Sequence, residues 1–308
     1  MGETLKGKVA VITGSGQGIG KAIATAMAKE GAKIVTNNRT RGAKGGDAET
    51  TAEEIKNGGG EAIPVFADVS KFDEGGKLIK AAVGSFGRID ILVNAAGIVR
   101  DKMCFNMSFK EWDAVIKAHL YSCFNCSRHT CVPMKEQRWG RIINVTSDAY
   151  RGTMGHVNYG AAKGGIVSLT RSMAIELARY GITCNCIAPA AATRMTMTEE
   201  VKGGMKKRME AGTMSRVVYE RLDDLPSPEF IPPIVVYLAS DYGAKINGYV
   251  LGCGGGKISV HGIAEEVHAI YKDYKSTGPW TIDELIRLIP RTIEPCCPPL
   301  KIAELDWG

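Results

Sequence analysis

Short apolar runs alternate with stretches of helical periodicity from the first residues to about position 252. Lys8–Thr13, Lys33–Asn37, Ala62–Ala67, Ile89–Asn94, Arg141–Thr146, Ile182–Ile187 and Tyr249–Gly252 read as strands. They are β-branched and apolar without the polar alternation of a half-exposed strand, as expected for strands covered on both faces of a parallel sheet. Between them, Gly18–Glu30, Lys71–Phe86, Lys110–Glu136 and Tyr159–Tyr180 carry apolar residues at helical spacing. This alternation predicts an α/β fold, a doubly wound parallel sheet in three α/β/α layers with right-handed crossovers.

Two stretches interrupt the rhythm. Residues 38–48, NRTRGAKGGDA, are rich in glycine and basic residues and predict a loop after the second strand. Residues 190–228 are Met-rich and charged, and read either as a cover over a substrate site or as a surface helix pair. After residue 260 the composition shifts to a tail with a helical stretch, Ile282–Ile289, opened by Thr281 and followed by prolines at 290, 295, 298 and 299. The expected organisation is a catalytic domain over 1–260. Residues 261–308 form a C-terminal helical extension, too short to stand alone, that docks on the domain or on a neighbouring subunit.

Composition narrows the function classes. The chain has 308 residues, 44% hydrophobic and 23% charged, enough to bury a globular core. A formal charge of +6 is spread along the chain, which suits anionic ligands and argues against a nucleic-acid partner. No run is apolar enough for a membrane helix, so no membrane partner is expected. Nine cysteines with no leader-like start suggest a reducing, cytoplasmic setting. Cys123 and Cys126 form a CxxC, but no second pair or histidines stand at zinc spacing, so small apolar filler in a helix is the expected role and no metal is expected.

The first strand runs into Thr13-Gly14-Ser15-Gly16-Gln17-Gly18-Ile19-Gly20, just where a helix starts. Glycines allow a tight turn and close backbone approach to a pyrophosphate, while the helix N-terminus offers N–H groups and partial positive charge. Later strand ends carry Asp68-Val69 and Asn94-Ala95-Ala96-Gly97; the set Ser147, Tyr159 and Lys163 follows, and NGYVLGCGGG closes the region. In this order the motifs resemble the short-chain dehydrogenase/reductase family over roughly residues 5–256. The resemblance implies a Rossmann-like fold and a nicotinamide cofactor. It gives cofactor contacts to Gly14, Ser15, Gln17, Gly18, Ile19, Val69, Ala95, Ala96, Tyr159 and Lys163, an adenine contact to Asp68, and the floor under the adenosine ribose to Asn94 and Gly97. Pro189 and Thr193 would meet the nicotinamide amide, although Pro189-Ala190 replaces the family's usual Pro-Gly.

The second strand ends at Asn37-Asn38-Arg39. A carboxylate there would bond a ribose 2′-hydroxyl, whereas an arginine pairs with a 2′-phosphate. The acid is missing and Arg39 is present, with Arg41 and Lys44 nearby, which favours NADP; NAD held through Asn38 stays open.

Tyr159 and Lys163 are four residues apart and share a helix face. Hydride transfer to a carbonyl builds negative charge on oxygen and calls for a proton. A phenol is a weak acid at neutral pH, and a neighbouring ammonium is expected to lower its pKa. Ser147, at the preceding strand's end, is expected to hold the substrate oxygen. It lies twelve residues before Tyr159 where the family usually shows thirteen, so Thr146 remains a fallback by counting. His119 stands where the family commonly has an asparagine of a proton relay, and is a candidate to order the lysine's water.

His119-Leu120, Ile187-Ala188-Pro189 and Leu251-Gly252-Cys253-Gly254 are more loosely similar to the dehydrogenase domain of peroxisomal multifunctional β-oxidation enzymes, which act on (R)-3-hydroxyacyl-CoA thioesters. The expected activity is therefore NAD(P)-dependent oxidoreduction of a 3-hydroxyacyl or 3-ketoacyl thioester. The alternatives are a small cyclic, aromatic or steroid-like ketone, or a non-catalytic subunit on the same scaffold. Arg100, Lys102, Arg151 and Arg194 are candidates to face a CoA phosphate or are plain solvated charges. Surplus apolar residues on Lys110–Glu136 and Tyr159–Tyr180, such as Cys123, Phe124, Leu169 and Met173, predict a homodimer or homotetramer.

Overall fold

The computed structural model describes residues 2–192, 199–210, 216–220 and 225–297. These fall into two units, one running through His261 and the other starting at Gly262.

In the first unit, β1 (Val9–Thr13), β2 (Lys33–Asn38), β3 (Ala62–Phe66), β4 (Ile91–Asn94), β5 (Gly140–Val145), β6 (Ile182–Pro189), β7 (Val250–Gly254) and β8 (Lys257–Val260) form one sheet. Its order is β3-β2-β1-β4-β5-β6-β7-β8. The first seven strands are parallel; β8 turns back antiparallel on β7, pairing Leu251 with Val260 and Gly252 with Ser259. An eighth strand was not expected from the sequence, because Lys257–Val260 is a short, half-exposed edge in which Ile258 and Val260 stay open to solvent.

Side-chain alternation along these strands feeds two cores. On one face Ile12, Ile34, Ile91 and Ile143 pack with Ile23 and Met27 of α1 (Gly18–Lys29). On the other, Val9, Val11, Leu92 and Ile142 meet Leu78 and Ile79 of α3 (Phe72–Phe86). Each such buried aliphatic side chain stabilises the fold by roughly 1.5–3 kcal/mol, which makes the sheet a rigid platform for the loops at its strand ends. The second helix, α2 (Ala48–Asn57), begins where the loop 38–48 ends. Asp47 caps it, accepting from Thr50 N at 2.9 Å.

The stretch expected as one helix over Lys110–Glu136 is broken by geometry rather than by a gap. It comprises α4 (Phe109–Ile116), a π-turn at Lys117–Tyr121 and α5 (Ser122–Gln137). Ser122 Oγ donates to Lys117 O at 3.1 Å across the widened turn. Such insertions often mark functional sites, and this one carries His119 inward to 2% exposure. Then come α6 (Val157–Leu177), α7 (Glu199–Glu210), α8 (Arg216–Glu220) and α9 (Pro232–Ala239), the last packing on the α1 face. None of the described helices is long and apolar enough to cross a membrane.

The second unit holds α10 (Tyr274–Thr277) and α11 (Ile282–Leu288). Thr281 opens α11, as the sequence suggested, and caps it in a reciprocal box with Glu284. Lys272 Nζ bonds Glu284 at 2.7 Å and the Pro279 carbonyl at 3.0 Å, folding the segment onto itself.

Candidate active site

β1 lies between β2 and β4, so the chain leaves its strand end in opposite directions and a crevice opens there. After Thr13 the backbone turns through Gly14 at φ +67°, a conformation that glycine adopts freely. A methyl on Gly14 would lie 2.7 Å from Ala96 Cα, so the turn and the end of β4 are in direct backbone contact. Thr13 Oγ1 ties the two together, accepting from Ala95 N at 3.0 Å and Ala96 N at 3.1 Å.

Gln17 precedes α1 without a side-chain cap, so no capping side chain takes up the first N–H groups between Gly18 and Ile19. A bare glycine turn under an uncapped helix N-terminus fits a pyrophosphate. Ser15 belongs to the frame of this turn. It is fully buried; its hydroxyl donates to Ile12 O at 2.8 Å and accepts from Asn37 N at 2.8 Å.

Further along the crevice, Asp68 Oδ1 accepts from Ser70 Oγ at 2.6 Å, which fixes the carboxylate beside Val69. Asn94 is buried and donates to Asn144 Oδ1 at 2.8 Å, linking β4 to β5. At the end of β2, Asn38 is occupied within the protein: Oδ1 accepts from Ala48 N at 2.8 Å and Nδ2 donates to Thr40 O at 2.7 Å. Arg39, next to it, is exposed. Arg41 reaches Glu49 at 3.3 Å.

The candidate residues Ser147, Tyr159 and Lys163 gather at the end of β5 and on α6. Ser147 follows β5, and its hydroxyl accepts from Ala149 N at 3.3 Å. Thr146 turns the other way: it is 1% exposed and its Oγ1 donates to the Lys163 carbonyl at 3.0 Å. Lys163 is buried and its ammonium donates to Val145 O at 2.6 Å, 5.3 Å from the centre of the Tyr159 ring.

The electrostatics differ from the sequence expectation. Burial pushes the Tyr159 phenol up to about 12, only partly offset by the Ser147 hydrogen bond. Burial also pulls Lys163 down to about 8. One ammonium hydrogen goes to Val145 O, and burial dominates the phenol in the protein alone, so it does not gain the lowering that its proximity to Lys163 suggested.

His119 packs edge-on against Tyr159, ring centres 5.1 Å apart. Its Nε2 lies 2.7 Å from Ile98 O and 3.1 Å from Ile98 N, and its buried Nδ1 has no partner among the described residues. Burial, then the nearby Lys163 charge, hold this imidazole well below the usual histidine range, so it is neutral. Gly97 makes the position possible: a methyl there would meet the His119 ring at 2.0 Å.

Two neighbours went unread in the sequence. Asn158, fully buried, donates to Arg100 O at 2.9 Å and accepts from Tyr159 N at 2.7 Å, fixing the first turn of α6. His156 pairs with Asp101 at 2.9 Å, its ring 5.8 Å from that of Tyr159. The only available signal was their place just before Tyr159. Among the loop cations, Arg151 pairs with Asp148 at 3.2 Å and Lys102 lies 3.9 Å from Glu111, while Arg100 donates to its neighbour's carbonyl, Val99 O, at 2.9 Å. Pro189 closes β6; Thr193 and Arg194 lie outside the described residues. Cys123 and Cys126 are buried in the packing of α5.

The sequence pattern of short chain dehydrogenases matches residues 8–204. The chain is 39% identical over 259 residues to a hydroxyacyl-CoA dehydrogenase of Mycobacterium tuberculosis, covering 80% of this chain and 77% of that protein. It is 36% identical over 262 residues to the peroxisomal multifunctional enzyme type 2 of Drosophila melanogaster, covering 83% of this chain but 40% of that longer protein. The crystal structure of a short chain dehydrogenase from Mycobacterium avium superposes with a TM-score of 0.81 at 36% identity, covering 97% of this chain and 99% of that one.

Proposed function

The chain belongs to the short-chain dehydrogenase family, and on that premise we propose that it is an NAD(P)-dependent oxidoreductase interconverting a 3-hydroxyacyl and a 3-ketoacyl thioester. The observation that carries the reading is the gathering of buried Lys163, its ammonium 5.3 Å from the centre of the Tyr159 ring, and His119, its ring 5.1 Å from that of Tyr159, beside Ser147 at the end of β5. Likeness to a hydroxyacyl-CoA dehydrogenase supports the thioester.

In this reading the Ser147 hydroxyl holds the substrate oxygen and Tyr159 exchanges a proton with it. A bound nicotinamide dinucleotide supplies the ring that gives or takes the hydride. Lys163 keeps a positive charge within 5.3 Å of the phenol ring, which favours phenolate once its hydrogens turn from Val145. His119, neutral and held at Nε2 by the Ile98 backbone, leaves its unpaired Nδ1 to bond a water serving Lys163.

The glycine turn at Gly14 and the uncapped start of α1 would hold the pyrophosphate, and Asp68 the adenine. Asn38 has its amide committed to Ala48 and Thr40, while Arg39 stands exposed beside it. That pairing favours a 2′-phosphate and hence NADP. We also infer a homo-oligomer, since Leu120 and Tyr121 of the π-turn, Phe124 and Asn125 of α5 and Leu169 of α6 line a largely apolar groove of about 450 Å³. A monomeric mass by light scattering would remove that inference.

The test of the activity is hydride transfer across a panel of 3-hydroxyacyl-CoA thioesters and free alcohols, each with NAD⁺ and NADP⁺. Turnover of a thioester supports the reading. Turnover of free alcohols alone redirects it to a small ketone, and silence with cofactor bound points to a non-catalytic subunit.

A further inference from the structure

The turn that aims Ser147 is held from two sides. A 3₁₀ turn at Asp148–Arg151 follows Ser147 directly, with Tyr150 N donating to Ser147 O at 3.0 Å and Ala149 N to Ser147 Oγ at 3.3 Å. Any shift of this turn therefore moves the serine hydroxyl. On one side it rests on α6, where Gly160 gives it room: a methyl at that position would lie 2.9 Å from Ala149 O.

The second support comes from the sheet edge. The Tyr150 hydroxyl bonds His261 Nδ1 at 3.0 Å, with the two rings stacked 5.8 Å apart at 25°. His261 Nε2 lies 3.6 Å from Asp148 Oδ1, in the same turn. His261 is itself anchored, because its N–H donates to Val250 O at 2.9 Å and extends the β7–β8 pairing by one residue. The ring fills space that Gly252 leaves open, since a methyl on Gly252 would lie 3.0 Å from His261 Nε2.

We propose that Tyr150 and His261 are positioning residues that brace the Ser147 turn against strand β8, so that residues beyond the 8–204 stretch set the geometry of the active site. Tyr150 also packs on the apolar cluster of Ile166, Val167 and Val250, but that contact alone would leave its hydroxyl free to swing. The bond to His261 fixes the ring's rotation as well as its position. With Tyr150 donating to Nδ1, the Nε2 side of the imidazole faces Asp148 at 3.6 Å, longer than a hydrogen bond, so the bond to Tyr150 carries the grip.

The kinetic side of this inference rests on the proposed oxidoreductase activity; the structural side does not. Amide hydrogen exchange is followed at Tyr150 and Gly152, whose N–H groups close the turn, in the cofactor-free protein. His261→Ala and Tyr150→Phe are each expected to speed exchange at those two amides by about tenfold, with the β1 amides unchanged. His261→Asn keeps an acceptor near the Nδ1 position and should restore much of the protection. With a working substrate, each single variant should lower kcat about tenfold while the KM for cofactor stays put, and the double variant should be no worse than either. Unchanged exchange at Tyr150 and Gly152 in His261→Ala, or losses in kcat that add in the double variant, would overturn the brace. A wild-type protein without turnover would defeat the oxidoreductase reading and leave the exchange result to decide the brace.

Discussion

Lys163 stands 5.3 Å from the centre of the Tyr159 ring, yet its ammonium is spent on the carbonyl of Val145 at 2.6 Å. The phenol is therefore left with its burial, which pushes it up to about 12. In the cofactor-free protein, the phenolate absorbance of wild type minus Tyr159→Phe should show a midpoint well above the ordinary 10 of tyrosine. Saturating NADP⁺ should bring that midpoint down, because a cation beside the phenol favours its anion. A midpoint at or below 10 without cofactor would contradict this picture of the resting site.

The same lysine is costly to the fold. Its folded-state pKa is about 8 against an ordinary 10.5, so between those values the unfolded chain keeps a proton that the folded protein gives up. Stability contributed at this site therefore rises with pH through that window, and the cost is fully present below it. Lys163→Met should be more stable than wild type at pH 7 by about 1–3 kcal/mol, with activity lost. The two unfolding curves should converge as pH rises from 8 toward 10. A less stable variant at pH 7 would mean that the bond to Val145 outweighs desolvation.

Much of this architecture could be read from the residues. The seven parallel strands are apolar on both faces, and the glycine turn and the Tyr159, Lys163 pair stand at the ends and starts of recognisable elements. What escaped were features without a local signature. β8 is a half-exposed edge whose partner strand, not its own pattern, makes it a strand. The π-turn around His119 depends on tertiary room supplied by Gly97, 22 positions earlier, and nothing near His119 announces it. Counting alone left Thr146 and Ser147 open, whereas the direction each side chain takes is fixed by the pleat at the end of β5.

The two hydroxyls have different partners, and the proposed function gives the substrate oxygen to Ser147. Ser147→Ala should lower kcat by about 10²–10³, the usual loss when a donor to a developing oxyanion is removed. Thr146→Ala removes only the bond to the Lys163 carbonyl and should cost about 1 kcal/mol of stability with a much smaller change in kcat. The reverse pattern in steady-state kinetics would hand the substrate oxygen to Thr146.

At the ribose end, the absent acid and the exposed Arg39 give a direct reversal. Asn38→Asp combined with Arg39→Ala should move the ratio of kcat/KM for NADPH over NADH by about 10²-fold or more toward NADH. A wild-type enzyme that already prefers NADH would remove the assignment of Arg39 to a 2′-phosphate.

The central claim is that Tyr159 carries the proton. Its most direct test is turnover of a 3-hydroxyacyl-CoA by Tyr159→Phe beside wild type, with NADP⁺ affinity measured on both by calorimetry. The substitution removes one oxygen and leaves the ring against His119, so cofactor affinity should change less than threefold, while kcat should fall by about 10²–10⁴. Turnover within a few-fold of wild type, with cofactor still bound, would contradict the account.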